Sequence, residues 1–340
     1  MLRRFSMLMI AVALVVGGCS PSESDPSGTT SRTEPVATAP ATTTVPLPAT
    51  TQTPRATEPV SSPHGSLATA VWIDAGDHRI PGTFTSPMGG DESAYPAALM
   101  LHGFGADKSE GGNMFGRLAE YLSVAGIASL RIDFAAAGDS EQPWVENTFD
   151  GMVADAVTAL AWLSANDSVD ADRIGLHGWS VGGRVAATVA GSDERVRTLS
   201  LWAAAVQDGT DGLESFFEAP TRRTCGSLYD CAVANGTVRC DPYGTGPFEL
   251  SLAWFDTMAA SRALTVVGDF DGPLLAIHGE NDDVVLPAVS ANLIATTRGD
   301  DATLHIIPDG DHTFGVYVDP DNAIAEDVLM ITARWIAANL

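Results

Sequence analysis

The chain has 340 residues, of which 18 are Lys or Arg and 43 are Asp or Glu, for a formal charge of −25 at pH 7. The first 66 residues hold four charges of each sign, so the whole acidic excess falls on residues 67–340. Such a surface repels polyanions, which excludes a nucleic-acid partner and argues against the domain lying flat on anionic lipid. No spacing of His, Cys, Asp and Glu matches a zinc site or a calcium loop, so no metal or other cofactor is expected, and the acidic cluster Asp269 to Asp271 reads as loop carboxylates.

The N-terminus carries Arg3 and Arg4, then an apolar run at residues 7–16, then Val16-Gly17-Gly18-Cys19, the pattern of a bacterial lipoprotein cleavage site. Residues 1–18 are accordingly expected to be a signal peptide. Cleavage leaves Cys19 N-terminal and lipidated, which attaches the protein to the outer side of the cell membrane. The apolar run is too short to span a bilayer itself, and an ordinary secretory peptide, the alternative, also exports the chain. Thr, Pro, Ser and Ala dominate residues 19–66 with almost no apolar periodicity, so this stretch is expected to be a disordered tether.

Residues 67–340 suit one α/β domain. A strand is predicted at 97–101, ending in His102-Gly103-Phe104-Gly105, where backbone amides can form half of an oxyanion hole. Apolar spacings near 3.6 predict helices over 114–124 and 152–163, interleaved with strands at 127–132 and 174–176, the alternation of a parallel sheet with helices on both faces. The pentapeptide Gly178-Trp179-Ser180-Val181-Gly182 follows the apolar run 173–177 and opens the small-residue stretch 183–189, the context of a nucleophile elbow. A serine hydroxyl is a weak nucleophile until a base takes its proton, and an elbow presents it where a histidine can do so.

After a strand at 198–202, residues from about 207 to 265 show poor regularity and read as a lid insertion. Its aromatics Phe216, Phe217, Tyr229, Tyr243, Phe248 and Trp254 either wall an apolar pocket or form the lid's own small core. Two of Cys225, Cys231 and Cys240 can be bridged in an exported protein, with the pairing left open. A strand at 273–277 runs into His278-Gly279-Glu280-Asn281-Asp282-Asp283, where Asp282 is the candidate orienting acid. A last strand at 303–307 leads to Pro308-Asp309-Gly310-Asp311-His312, where His312 is the candidate base, and a helix over 323–340 closes the chain. Asp283, Asp309 and Asp311 compete with Asp282, while His102 and His278 precede glycines at strand ends and read as structural. The order Ser, Asp, His is that of the α/β-hydrolases.

Leu101-His102-Gly103-Phe104, Ala128 to Phe134, Gly138-Asp139-Ser140, the elbow, the His278-Gly279 block and the Asp311-His312 loop resemble the bacterial feruloyl (cinnamoyl) esterases of that superfamily, over about residues 67–340. The resemblance implies a mostly parallel central sheet, Ser180 as nucleophile, His312 as general base, Asp282 as its partner, and the amides of Phe104 and Val181 as oxyanion hole. The sequence departs from that family at Ala135-Ala136, where Arg-Gly is usual, and at Trp179 and Val181, where His and Gln often flank the serine. The function expected is an exported serine hydrolase that cleaves small carboxylic esters through an acyl-enzyme, with no protein partner. A peptidase or amide hydrolase on the same fold and a non-catalytic cell-surface binding module are the alternatives.

Overall fold

The computed structural model describes residues 17–20, 60–61, 66–87, 94–218, 226–241, 247–299 and 301–340. Residues 1–16, Cys225 and Tyr243 lie outside them, as do the side chains of Cys19 and Phe216. Two short pieces of the N-terminal stretch are paired: β1 (Gly17–Ser20), which straddles the expected cleavage site before Cys19, and β2 (Val60–Ser61) within the stretch read as a tether. The latter lies antiparallel along β3, with Val60 opposite Ala68 and Ser61 opposite Leu67, and so covers backbone groups that β3 would otherwise leave unpaired at the sheet edge.

The domain proper opens with an antiparallel pair that the sequence reading did not anticipate, β3 (Ser66–Asp74) and β4 (Arg79–Pro87). Strand β5 (Tyr95–Leu101), helix α1 (Met114–Val124), strand β6 (Ala128–Ile132), helix α2 (Phe149–Ser164) and strand β7 (Val169–Trp179) then alternate as expected. They are followed by α3 (Val181–Ala190) and β8 (Val196–Trp202). The segment expected to lack regularity instead folds as α4 (Glu214–Phe217), α5 (Leu228–Asn235), β9 (Thr237–Asp241), β10 (Phe248–Ser251), α6 (Leu252–Ala260) and α7 (Ala263–Val267). These pieces are short and fixed by local chemistry, such as the reciprocal cap between Ser227 and Asp230 that starts α5, which leaves little periodic trace. Strand β11 (Leu274–Gly279), α8 (Ala288–Thr296), β12 (Ala302–Ile307) and α9 (Ala323–Asn339) complete the chain.

The strands form a nine-stranded sheet in the order β12-β11-β8-β7-β5-β6-β4-β3-β2, with β1, β9 and β10 in a separate three-stranded sheet. Every neighbouring pair from β12 to β6 is parallel, and β4, β3 and β2 add antiparallel pairs on one side. Central strands are apolar on both faces, as a parallel sheet covered by helices requires. In β5, Ala97, Leu99 and Leu101 pack with α2 and α3 residues such as Leu160 and Val185. Ala98 and Met100 of the same strand point the other way, into the cluster that holds Phe115 of α1 and Leu329 of α9. Burying side chains of this size stabilises the fold by roughly 1.5–3 kcal/mol each. The layers leave the C-terminal ends of β5, β7, β11 and β12 side by side, where open α/β sheets bind ligands.

Candidate active site

Strand β7 ends and α3 begins at Ser180, whose backbone sits at φ 53°, ψ −119°. A non-glycine residue rarely adopts positive φ, and it persists only where the surroundings impose it. Here Ser180 donates its N–H to the Trp202 carbonyl at 3.0 Å and accepts at its own carbonyl from Ala205 N at 3.0 Å. The turn closes because residue 182 lacks a side chain: a Cβ there would stand 2.0 Å from the Leu101 carbonyl oxygen. Sequence pattern and backbone geometry thus agree on an elbow that pushes one hydroxyl out over the sheet.

Ser180 Oγ lies 3.1 Å from His312 Nε2, and His312 Nδ1 lies 2.8 Å from Asp282 Oδ2. The three residues come from the ends of β7, β12 and β11. Asp282 is 3% exposed. Its Oδ1 accepts the N–H groups of Val284 and Val285, each at 2.9 Å, while Oδ2 also faces His278 Nε2 at 3.0 Å. Burial alone would raise this carboxyl, but the hydrogen bonds from His278 and His312, the charge of His312 and the Val285 amide outweigh it and hold the pKa at about 2. Asp282 is therefore an anion at neutral pH, and His312 presents Nδ1–H to it, which leaves Nε2 to accept from the serine hydroxyl.

The competing carboxylates are placed elsewhere. Asp283 and Asp309 are exposed. Asp311 accepts from Thr313 N, Thr313 Oγ1 and Gly315 N, and so shapes the loop that carries His312. His102 and His278 are buried and internally bonded. His102 donates from Nδ1 to the Gly103 carbonyl at 2.8 Å and accepts from Phe134 N at 3.1 Å. His278 Nε2 faces the Val285 carbonyl at 2.7 Å, and Nδ1 accepts from Ser290 Oγ at 2.7 Å.

A cavity of about 510 Å³ opens over the serine, lined by Phe104, Glu110, Trp179, Ser180, Val284, His312 and Tyr317 among others. Phe104, in the loop after β5, lines this cavity, and Val181, the first residue of α3, directly follows Ser180. Trp179, the departure from the feruloyl-esterase pattern, is 4% exposed and donates Nε1–H to the His312 carbonyl at 3.2 Å, which ties the elbow to the histidine loop. Among the described residues, the aromatics between β8 and β11 pack mainly with one another. Phe217 stacks with Phe255 and Trp254, and Tyr229 with Phe255, as a core of that segment. Phe248 and Trp254 reach Phe104 at 5.2 and 5.8 Å, behind the cavity wall. Cys231 and Cys240 are both buried there.

Sequence reasoning assigned no role to Glu110, Tyr317 or Val284, which the fold brings to the cavity. It noted residues 128–134 without a reason for Asp133. That carboxylate is buried, bonds Lys108 Nζ closely, accepts from the Lys108 and Asp139 amides at 2.7 and 2.9 Å, and so fastens the loop after β5 to the loop after β6.

Comparison with known proteins agrees with this architecture. A family model described as serine aminopeptidase, S33, matches residues 95–316. A non-reducing polyketide synthase of Acremonium egyptiacum is 32% identical over 133 residues, which are 36% of this chain, and the match spans only 6% of that relative's length. Among solved structures, Est1E from Butyrivibrio proteoclasticus with ferulic acid bound superposes with a TM-score of 0.63 at 18% identity, over 79% of this chain and 99% of that one. The esterase domain of a Rhodothermus marinus protein gives 0.58 at 20% identity, over 80% and 98%. These last two likenesses show the α/β-hydrolase fold.

Proposed function

Since the chain belongs to the serine aminopeptidase S33 family and has the α/β-hydrolase fold, we propose that it is a serine hydrolase acting on carboxylic esters through an acyl-enzyme. The observation that carries this reading is the bonded series from Asp282 through His312 to Ser180, with the hydroxyl 3.1 Å from the imidazole and open to an apolar-walled cavity. His312 takes the serine proton as Oγ attacks the ester carbonyl. The Phe104 and Val181 amides hold the tetrahedral oxyanion. His312 then protonates the departing alcohol, and a water activated by the same imidazole releases the acid. Asp282 fixes the tautomer of His312 and stabilises its cationic form.

The aromatic walls supplied by Phe104, Trp179 and Tyr317 fit a flat or branched apolar acyl group, and the ferulic acid bound to Est1E is a ligand of that kind. The test is hydrolysis of p-nitrophenyl acetate, butyrate and octanoate beside methyl ferulate by the full chain, with Ser180→Ala as control. Turnover that vanishes in the control supports the reading, and turnover that survives it overturns the role of Ser180. An amide hydrolase is the second reading, favoured by the description of the matching family. Aminoacyl p-nitroanilides assayed alongside the esters separate the two.

We further propose that the protein acts outside the cytoplasm, held to the cell membrane by lipid on Cys19 with the Thr- and Pro-rich stretch as spacer. Mass spectrometry of the mature N-terminus tests this, because a chain that begins at Met1 or carries no acyl mass on Cys19 contradicts it.

A further inference from the structure

A carboxylate lines the same cavity and has no part in the reaction above. Glu110 lies in the loop between β5 and α1, at φ 60°, ψ 170°, a conformation that disfavours any residue with a side chain. Both of its carboxyl oxygens are engaged. Oε1 accepts the Gly103 N–H in a close hydrogen bond, and Oε2 accepts the Gly111 N–H at 3.2 Å. On the far side of the Gly103 Cα, the Gly103 carbonyl accepts from His102 Nδ1 at 2.8 Å. Gly103 C=O and Phe104 N–H belong to one planar peptide unit, so fixing the first fixes the direction of the second. Gly103 itself is wedged between the carboxyl and the elbow: a Cβ there would stand 3.4 Å from both Glu110 Oε1 and Ser180 Cβ.

Resting on the esterase reading, we infer that Glu110 is a positioning residue: by accepting the Gly103 N–H it clamps the loop after β5 so that the Phe104 amide stays aimed at the oxyanion above Ser180. The backbone strain at residue 110 is the counterpart of this role, since the strained turn is what carries the carboxyl back to Gly103. Removal from water pushes this carboxyl up to about 7, and Asp107 on the same loop pushes it in the same direction, so the fold retains an acid where burial disfavours its charged form. What the clamp needs is an acceptor oxygen rather than a charge.

Three variants of the full chain test the inference. Glu110→Gly removes the carboxyl and relieves the strained φ, so loss of activity in a stably folded protein cannot be attributed to misfolding. Glu110→Ala removes it without that relief, and Glu110→Gln keeps an acceptor oxygen. The expected result is that kcat falls about 10- to 100-fold in Glu110→Gly and Glu110→Ala with KM within about threefold, less than the 10²–10³ for outright loss of an oxyanion donor. Glu110→Gln should recover to within about fivefold of the parent. A Glu110→Gly enzyme with kcat within threefold of the parent, or a Glu110→Gln enzyme as slow as Glu110→Gly, overturns the inference. The rate of fluorophosphonate labelling at Ser180 is followed in the same four proteins. That readout needs no ester substrate, so it judges the role of Glu110 even if the esters chosen above prove not to be turned over.

Discussion

His278 Nε2 stands 3.0 Å from Asp282 Oδ2 while donating to the Val285 carbonyl at 2.7 Å, and neither the imidazole nor the carboxylate has any measurable side-chain exposure to solvent. The same carboxylate oxygen receives His312 Nδ1 at 2.8 Å. Asp282 therefore sits between two imidazoles, His312 that faces Ser180 and His278 that is committed at Nδ1 to Ser290 Oγ and at Nε2 to the Val285 carbonyl.

Replacing His278 by Ala should leave the Val285 carbonyl and Ser290 hydroxyl unpaired, remove the imidazole beside Asp282, and loosen the grip of Asp282 on His312. We expect kcat to drop about tenfold with KM little changed, and stability to fall by about 2 kcal/mol, the usual range for a buried polar group left unpaired. Ester kinetics together with a urea titration check both numbers. A variant with lowered stability and unchanged kcat would assign His278 to folding alone.

Acid should unfold the protein through Asp282. Its pKa is depressed to about 2 in the fold from 3.8, so the unfolded chain binds the proton more readily. The stabilisation this provides is present above about pH 4 and is lost as pH falls from there toward 2, for about 2 kcal/mol in total. Urea midpoints at pH 5 and pH 3 for the parent and Asp282→Asn measure it, and the pH-dependent decrement should be smaller in the variant.

Another buried carboxylate lies outside the cavity lining. Asp155 of α2 meets His78 Nε2 at 2.8 Å, and His78 Nδ1 meets Asp77 at 2.7 Å, so the turn between β3 and β4 is pinned to the helix. Burial raises Asp155 to about 6, with the His78 hydrogen bond opposing it. His78→Leu should destabilise the protein by about 1–3 kcal/mol, because a buried polar group loses its partner. Adding Asp155→Asn should restore much of that loss, and ester turnover should be untouched in both, which chemical denaturation and the standard assay will show.

Tyr317 is a cavity wall that is itself 70% exposed, so its removal should matter to ligands more than to the fold. Tyr317→Ala is expected to raise KM for methyl ferulate several-fold while shifting p-nitrophenyl acetate little, since only the larger acyl group reaches that wall. Equal effects on both esters would remove Tyr317 from any role in selection.

Much of this arrangement was legible in the sequence because strand ends carry their own punctuation. The strand before His102, the glycines around Ser180, the acidic block after residue 277 and the turn-rich loop before His312 each marked a C-terminal strand end, and the sheet places those ends together. Asp282 was the aspartate named to face His312, and the structure puts it there, but the three competing aspartates are separated from it only by loop hydrogen bonds such as those from the Val284 and Val285 amides. Glu110 was invisible for a similar reason: it acts through a backbone turn that no residue pattern announces. The β3–β4 pair was missed because half-buried antiparallel strands rich in Thr, Ala and Pro have weak alternation.

The elbow, the loop after β5, the acid and the base are separated by long stretches of chain, and His312 follows the last strand of the sheet. Ser180 and His312 are 132 residues apart in sequence. Contacts of such range form late in folding, because the intervening chain must be ordered before they are made. On the proposed reading the hydroxyl of Ser180 is an ordinary alcohol until β12 docks beside β11 and brings His312 to it. Chemical reactivity at this one serine is consequently a count of finished molecules.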